Sequence, residues 1–217
     1  MNKVRCLILD HDDTLVNSSK EIHYPAFLET LSILRPGLEL SFEEFMAYNF
    51  QPGFLAMCED IFHFTPKELQ LELEIWRKWT STHIPELLCG LKEILTRFVN
   101  KGGILCVVSL SYRDTIERDY RHHFDFLPQA IYGWELPKDK RKPSSFAVDE
   151  ILLRFSLAPE ECLVVDDGFA GYKMAKAAKV PFAANCYIPQ SQTILDFFRS
   201  NADYLLYQPE DLAKLLF

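Results

Sequence analysis

The chain has 217 residues, of which 48% are hydrophobic and 25% are charged, and its formal net charge is −8. Such a composition is typical of a globular protein with a sizeable core. The acidic balance argues against a nucleic-acid partner, because a phosphate backbone calls for clustered Lys and Arg. No apolar run reaches the ~18 residues of a membrane span, and the first run is too short for a secretory signal.

The six cysteines are scattered along the chain and form no CxxC pair. This spacing disfavours a zinc site or a disulfide framework and is typical of reduced, mostly buried thiols. We therefore expect a cytoplasmic protein with no nucleic-acid or membrane partner.

Short apolar runs alternate with helical patterns in residues 1–17 and 84–217. Each run is too short for a buried helix and is bounded by turns or charged residues. The runs cover residues 6–9, 104–109, 130–133, 162–166, 181–185 and 203–207. This alternation predicts an α/β core, a Rossmann-like doubly wound parallel sheet with helices on both faces.

Residues 18–83 have a different, wholly helical pattern. Apolar residues at helical spacing run from Ile22 to Leu34, and Pro36-Gly37 ends that helix. Two capping boxes, at 41–44 and 65–68, begin further helices. We therefore expect an inserted helical subdomain at 18–83 and a core formed by 1–17 together with 84–217, with hinges near Asn17 and Ile84-Pro85.

An acidic cluster follows the first predicted strand directly. Asp10, Asp12 and Asp13 place three carboxylates within four residues, at the strand end where open α/β sheets bind ligands. Their mutual repulsion would be relieved by a divalent cation with oxygen ligands. A solvated acidic turn is the alternative interpretation.

Three weaker signals accompany this cluster. Asp166-Asp167 follows another predicted strand, and two acids there could complete the same metal site. Ser109 ends the second predicted strand and could donate to a phosphate oxygen. The basic run 138–143 is either a solvated loop or the source of one lysine that neutralises charge in the site.

Together the four signals resemble the haloacid dehalogenase superfamily of phosphoryl-transfer enzymes, specifically members with a helical cap inserted after the first strand. The family's motifs read Asp10-His11-Asp12-Asp13-Thr14, Ser109, Lys142-Pro143 and Asp166-Asp167, in the family's order. The resemblance covers nearly the whole chain. The ungapped spacing from Lys142 to the acidic motif favours this lysine over Lys138 and Lys140.

The resemblance implies a mechanism. Asp10 would attack phosphorus and form an aspartyl-phosphate, and Asp12 would protonate the leaving oxygen and then activate water. Mg²⁺ would be held by the Asp10 carboxylate, the Asp12 carbonyl and Asp167, with Asp166 binding directly or through water. Lys142 would act beside Asp10.

The resemblance also implies a phosphate-binding set. Thr14, Ser109, Lys142 and the backbone amide of Leu110 would orient the nucleophile and bind the phosphoryl oxygens. Asp12 favours phosphate monoester chemistry, because the family's dehalogenases do not use this acid/base residue.

Three residues depart from the family's common pattern. Asp13 replaces a glycine often found there, Asn17 replaces an aspartate found in many capped members, and Gly171 replaces a second acid found in some members. The change at Gly171 resembles the branch that contains sugar-phosphate phosphatases and β-phosphoglucomutases.

Three residues of the segment 18–83 are candidates for contact with the substrate. Asn49 and Gln51 fall in the segment 48–53 that resembles the family's specificity loop. His23 resembles a cap histidine of the β-phosphoglucomutases, with one residue inserted; a structural helix histidine is the alternative.

The favoured function is a Mg²⁺-dependent phosphatase for a small phosphorylated metabolite, either phosphoglycolate-like or a sugar phosphate. The alternatives are a β-phosphoglucomutase-like phosphomutase and a non-catalytic phosphate sensor or protein-binding relative. By the resemblance, we expect a monomer or homodimer.

Overall fold

The computed structural model describes residues 4–217. Its strands are β1 (Cys6–Leu9), β2 (Ile104–Val108), β3 (Ala130–Tyr132), β4 (Cys162–Asp166), β5 (Phe182–Asn185) and β6 (Tyr204–Leu206). Within these residues they form one sheet in the order β3-β2-β1-β4-β5-β6, and every neighbouring pair is parallel. The predicted doubly wound α/β core is confirmed.

Helices cover both faces of this sheet. The helices of residues 4–217 are α1 (Tyr24–Leu34), α2 (Phe42–Phe50), α3 (Phe54–Ala56), α4 (Pro66–Thr82), α5 (Leu91–Asn100), α6 (Arg113–His123), α7 (Phe146–Phe155), α8 (Phe169–Ala177), α9 (Gln192–Asn201) and α10 (Pro209–Leu216). Of these, α5 to α10 cover the sheet. Because side chains alternate along a strand, Leu7 and Leu9 pack under α5, α6 and α10. Cys6 and Ile8 pack on the other face, under α7, α8 and α9.

The helices α1 to α4 all lie between β1 and β2, as the predicted helical insertion requires. Two π-helical turns, Ser19–His23 and Met57–Ile61, complete this segment. Both predicted capping boxes are confirmed: the side chains of Ser41 and Thr65 each accept from the backbone three residues on. The segment has its own core, centred on Phe27, Phe45 and Met57.

The two chain connections between this segment and the sheet run side by side. The Asn17 amide donates to the Glu86 carbonyl at 2.9 Å. Glu21 joins them as well, because it accepts from the Asn17 side chain at 2.8 Å and from the Glu86 amide at 3.0 Å. The predicted hinges near Asn17 and Ile84-Pro85 lie beside this junction.

All six cysteines are free thiols in the structure, and four of them are buried. Among the described residues, no helix combines the length and the apolar character needed to span a membrane.

Candidate active site

Three carboxylates meet where β1 and β4 end at the same edge of the sheet. Ligand oxygens of Asp10, Asp166 and Asp167 lie within 4.8 Å of one another. The three side chains converge because β1 pairs directly with β4, so the carboxyl ends of the two strands lie side by side. Asp10 and Asp166 are only 8% and 2% exposed, which makes this a buried cluster of like charges.

Burial and mutual repulsion perturb these groups. Burial, together with the charge of Asp166, raises the pKa of Asp10 to about 7. Burial and the neighbouring Asp13 raise the pKa of Asp167 well above its ordinary value. Buried carboxylates that repel one another are stable when a positive charge joins them.

Lys142 supplies one such charge. Its Nζ donates to Asp10 Oδ1 at 2.7 Å and to Asp166 Oδ2 at 2.5 Å. Burial disfavours its ammonium form, but the two carboxylates outweigh this and raise the pKa of Lys142 above its ordinary value. The lysine therefore stays charged while it is 3% exposed.

The cluster also fits a hard divalent cation. Mg²⁺ prefers oxygen ligands and uses one or two carboxylates plus substrate oxygens. One ammonium leaves three carboxylates only partly neutralised, and Asp167 has no lysine contact in the described chain. The donor set is thus suited to the predicted metal.

The carboxylate of Asp12 does not point into this cluster. His23 Nε2 donates to its Oδ1 at 2.9 Å. The Ser111 hydroxyl donates to its Oδ2, and the Ser109 hydroxyl lies 3.5 Å from the same oxygen. Burial opposes ionisation of Asp12, but these donors hold its pKa well below the usual range. The Asp12 carboxylate thus lies outside the group of Asp10, Asp166 and Asp167 oxygens and is held by His23 and Ser111.

His23 is itself held by a tryptophan from another helix. Trp76 Nε1 of α4 donates to His23 Nδ1 at 2.8 Å. An indole N–H can only donate, so Nδ1 carries no proton in this arrangement. The single ring proton of His23 then lies on Nε2, where it points to Asp12.

Of the predicted phosphate-binding residues, Lys142 and Thr14 contact the carboxylate cluster. Thr14 Oγ1 lies 3.4 Å from Asp167 Oδ1. Ser109 is buried and accepts from the Ser111 amide at 3.1 Å. Leu110 is 40% exposed, and its amide makes no hydrogen bond with any residue in 4–217. That amide is available to an incoming oxygen.

The two predicted specificity residues are not joined to this site. Asn49 donates to the Phe45 carbonyl within α2 at 2.8 Å. Gln51 caps the end of the same helix and is exposed. Neither hydrogen-bonds to a site residue within the part of the chain that the structure describes.

The structure explains why residue 171 is a glycine. It lies in the first turns of α8, against the carboxylate of Asp166. A Cβ added at this position would overlap the Asp166 carboxyl group and lie 2.5 Å from its Oδ1. The Asp166 carboxyl group thus occupies the space that a side chain at 171 would need, and it contacts Lys142.

Sequence reasoning missed three other residues around the site: Ser111, Trp76 and Glu72. Ser111 could have been suspected, because it repeats the hydroxyl of Ser109 two residues later. Nothing in the sequence singles out Trp76 from the other aromatics of α4, or Glu72 from the other acids there.

A family model described as "Haloacid dehalogenase-like hydrolase" matches residues 7–185. The matched range contains every residue of the carboxylate cluster and Lys142. The chain belongs to the haloacid dehalogenase-like hydrolase family. No curated protein matches its sequence.

Solved structures agree on the fold of this family member. A haloacid dehalogenase-like hydrolase from Bacteroides fragilis superposes with a TM-score of 0.79 at 20% identity, over 94% of this chain and 96% of that chain. A predicted phosphoglycolate phosphatase from Haemophilus somnus gives a TM-score of 0.76 at 20% identity, over 99% of each chain. The protein CbbY from Rhodobacter sphaeroides, solved with xylulose-1,5-bisphosphate, gives 0.71 at 19% identity, over 95% of each chain.

Proposed function

We propose that this hydrolase is a Mg²⁺-dependent phosphatase that acts on a small phosphorylated metabolite through an aspartyl-phosphate intermediate. The observation that carries the proposal is the contact of Lys142 with Asp10 inside a buried carboxylate cluster, with Asp12 beside it. A nucleophile, a fixed cation and a proton-transfer group are the parts that phosphoryl transfer needs. Similar folds in phosphoglycolate phosphatases support the same reaction class.

Mg²⁺ would be held by Asp10, Asp167 and the Asp12 carbonyl, with Asp166 at its edge. When bound, the ion supplies positive charge that stabilises the phosphoryl oxygens. Asp10 and Asp167 are the carboxylates of the cluster with the strongest need for such charge, since the pKa of each is raised by burial and acidic neighbours.

Side chains and a backbone amide of the chain provide the nucleophile and bind the phosphoryl group. The Asp10 carboxylate attacks phosphorus while Lys142 holds it in place and favours its ionised form. The Leu110 amide and the hydroxyls of Thr14 and Ser109 bind the phosphoryl oxygens. These donors hold the phosphorus in line with Asp10.

Asp12 handles the proton in both halves of the reaction. A protonated Asp12 gives its proton to the leaving oxygen, and the resulting carboxylate then takes a proton from the attacking water. The donors found here, His23 and Ser111, stabilise the carboxylate state. That state is the one required for hydrolysis of the aspartyl-phosphate.

The test is the substitution Asp10→Asn, assayed with p-nitrophenyl phosphate and Mg²⁺. We expect turnover to be lost while the protein keeps its fold, because an amide cannot form the acyl-phosphate. Asp125→Asn is the matched control, since this exposed aspartate lies between α6 and β3, away from the cluster. Wild-type turnover by Asp10→Asn would contradict the mechanism.

One observation favours the phosphomutase alternative: His23 contacts the acid/base residue Asp12 directly. A mutase would return a phosphoryl group to its own substrate instead of passing it to water. Incubation with β-glucose 1-phosphate separates the two functions. A mutase yields glucose 6-phosphate, whereas a phosphatase releases free phosphate.

A further inference from the structure

Glu72 is a buried acid with no partner. It lies in α4, is 7% exposed, and makes no hydrogen bond or ion pair with any other residue in 4–217. Trp76 follows it by four residues, so the two side chains share one face of the helix. Trp76 reaches His23, the hydrogen-bond partner of Asp12, from this face. Glu72 thus lies on the face of α4 that contacts His23.

An isolated buried carboxylate is unfavourable. Burial raises the pKa of Glu72 to about 7. Buried acids are normally paired or hydrogen-bonded. Perturbed acids in clefts are frequent at functional sites. A ligand that donates a hydrogen bond to Glu72 would relieve this cost.

The same helical segment offers no buried positive charge. Residues 18–83 contain ten acidic and five basic residues, the latter being Lys20, Arg35, Lys67, Arg77 and Lys78. None of these five is buried in the described structure. Lys20 and Lys67 are exposed. The others form ion pairs: Arg35–Glu68 at 2.7 Å, Arg77–Asp114 at 2.9 Å and Lys78–Glu29 at 3.4 Å.

Three basic residues of the sheet domain also have hydrogen-bond or ion-pair partners. Lys142 is held between two carboxylates. Arg113 pairs with Glu117 at 2.7 Å, and Arg141 donates to the Leu136 carbonyl at 2.7 Å. A second anionic group placed beside Glu72 would be repelled by its carboxylate.

We propose that Glu72 selects substrates whose leaving group is uncharged or cationic and presents a hydroxyl or ammonium donor to this carboxylate. The inference rests on the phosphatase function proposed above and names its substrate class. It disfavours leaving groups that carry a carboxylate, such as that of phosphoglycolate, and those that carry a second phosphate. Like charges that face each other in a buried site reject the wrong ligand as effectively as contacts attract the right one.

Three two-carbon phosphates test this selection at nearly constant size. Ethanolamine phosphate presents an ammonium, 2-hydroxyethyl phosphate a hydroxyl, and 2-phosphoglycolate a carboxylate. We expect kcat/KM for at least one of the two donor substrates to exceed that for phosphoglycolate by about tenfold or more, the effect of one hydrogen bond to a charged group. Comparison of the first two distinguishes an ammonium from a hydroxyl as the preferred donor.

The variant Glu72→Gln keeps the shape and removes the charge. We expect the ratio of kcat/KM between the preferred donor substrate and phosphoglycolate to fall about tenfold. Glu74→Gln is the matched control, because Glu74 lies on the same helix but is exposed, and its ratio should equal that of the wild type. Faster turnover of phosphoglycolate than of both donor substrates would overturn the proposal, as would an unchanged ratio in Glu72→Gln.

Two further readouts separate this proposal from the phosphatase function itself. p-Nitrophenyl phosphate reports phosphatase chemistry without a donor group, so its failure to react would refute the function proposed above. Binding of the three phosphates to wild-type protein, measured by thermal shift, still tests Glu72 in that case. We expect the strongest stabilisation from a donor phosphate, and stronger stabilisation by phosphoglycolate would overturn the selection. If Glu72→Gln does not fold, the order in which the three phosphates stabilise the wild-type protein decides the question.

Discussion

The contact between Gly171 and Asp166 predicts an unusual response to the substitution Gly171→Ala. Gly171 lies within α8, and in an unconstrained helix this change stabilises by about 1 kcal/mol. Here the added methyl would overlap the Asp166 carboxyl group. The sign of the effect therefore depends on whether Asp166 occupies that space.

The cost can be worked out from what Asp166 would lose. Its carboxylate accepts from Lys142 and, at 2.8 Å, from the Gly168 amide. Overpacking a site costs about 1–3 kcal/mol, and removing one partner of a buried ion pair costs up to about 3–5 kcal/mol. Lys142 keeps Asp10, so we expect a net loss of about 3 kcal/mol, the lower end of that range. For a chain of this length that loss lowers Tm by roughly 6–12 °C.

Thermal unfolding and turnover of p-nitrophenyl phosphate measure the two consequences. We expect kcat to fall at least about tenfold, since a displacement of about 1 Å in a positioned group can cost a factor of ~10². Gly168→Ala is a graded control, because its Cβ would lie 3.2 Å from Asp166 Oδ1. Its effect should be smaller.

A double variant identifies the cause. Asp166→Gly removes the carboxylate that the methyl meets, so adding Gly171→Ala to it should restore a favourable helix effect. The two changes should thus be strongly non-additive. A Gly171→Ala protein that is as stable as the wild type would refute this reasoning, because the methyl would then have free space.

Two further substitutions probe contacts between the helical insertion and the core. Trp76→Phe removes the indole N–H but keeps an aromatic ring. We expect His23 to lose its fixed Nε2–H tautomer, which ¹⁵N NMR of the imidazole ring would detect. We also expect a larger effect on kcat than on KM. Trp79→Phe is the control: it loses a comparable hydrogen bond from an indole N–H to Glu29, and we expect it to change neither the His23 tautomer nor kcat. A wild-type His23 tautomer in Trp76→Phe would contradict the expectation. Phe50→Ala removes a ring that packs on aromatic side chains of α8 and α9, with ring centroids 5.4–5.8 Å apart. We expect faster limited proteolysis at the hinges. Unchanged proteolysis would show that this contact does not hold the insertion in place.

Much of the fold could be predicted from local patterns. The bounds of β1 and β4 match the apolar runs at 6–9 and 162–166, because a strand buried on both faces must be continuously apolar. The capping boxes at Ser41 and Thr65 were equally visible, because each involves only residues three apart. The acids after these strands marked the ligand edge of the sheet.

The sequence determined which candidate residues are available for the chemistry, and the tertiary structure decided how they are held. Asp10, Lys142 and Asp166 were predictable as a set, but the ammonium between two carboxylates exists only because β1 pairs with β4. The contact of Trp76 with His23 joins two helices far apart in the chain. Local patterns record which side chains are available, whereas contacts of this kind depend on how helices and strands pack, and no short stretch of sequence contains that information.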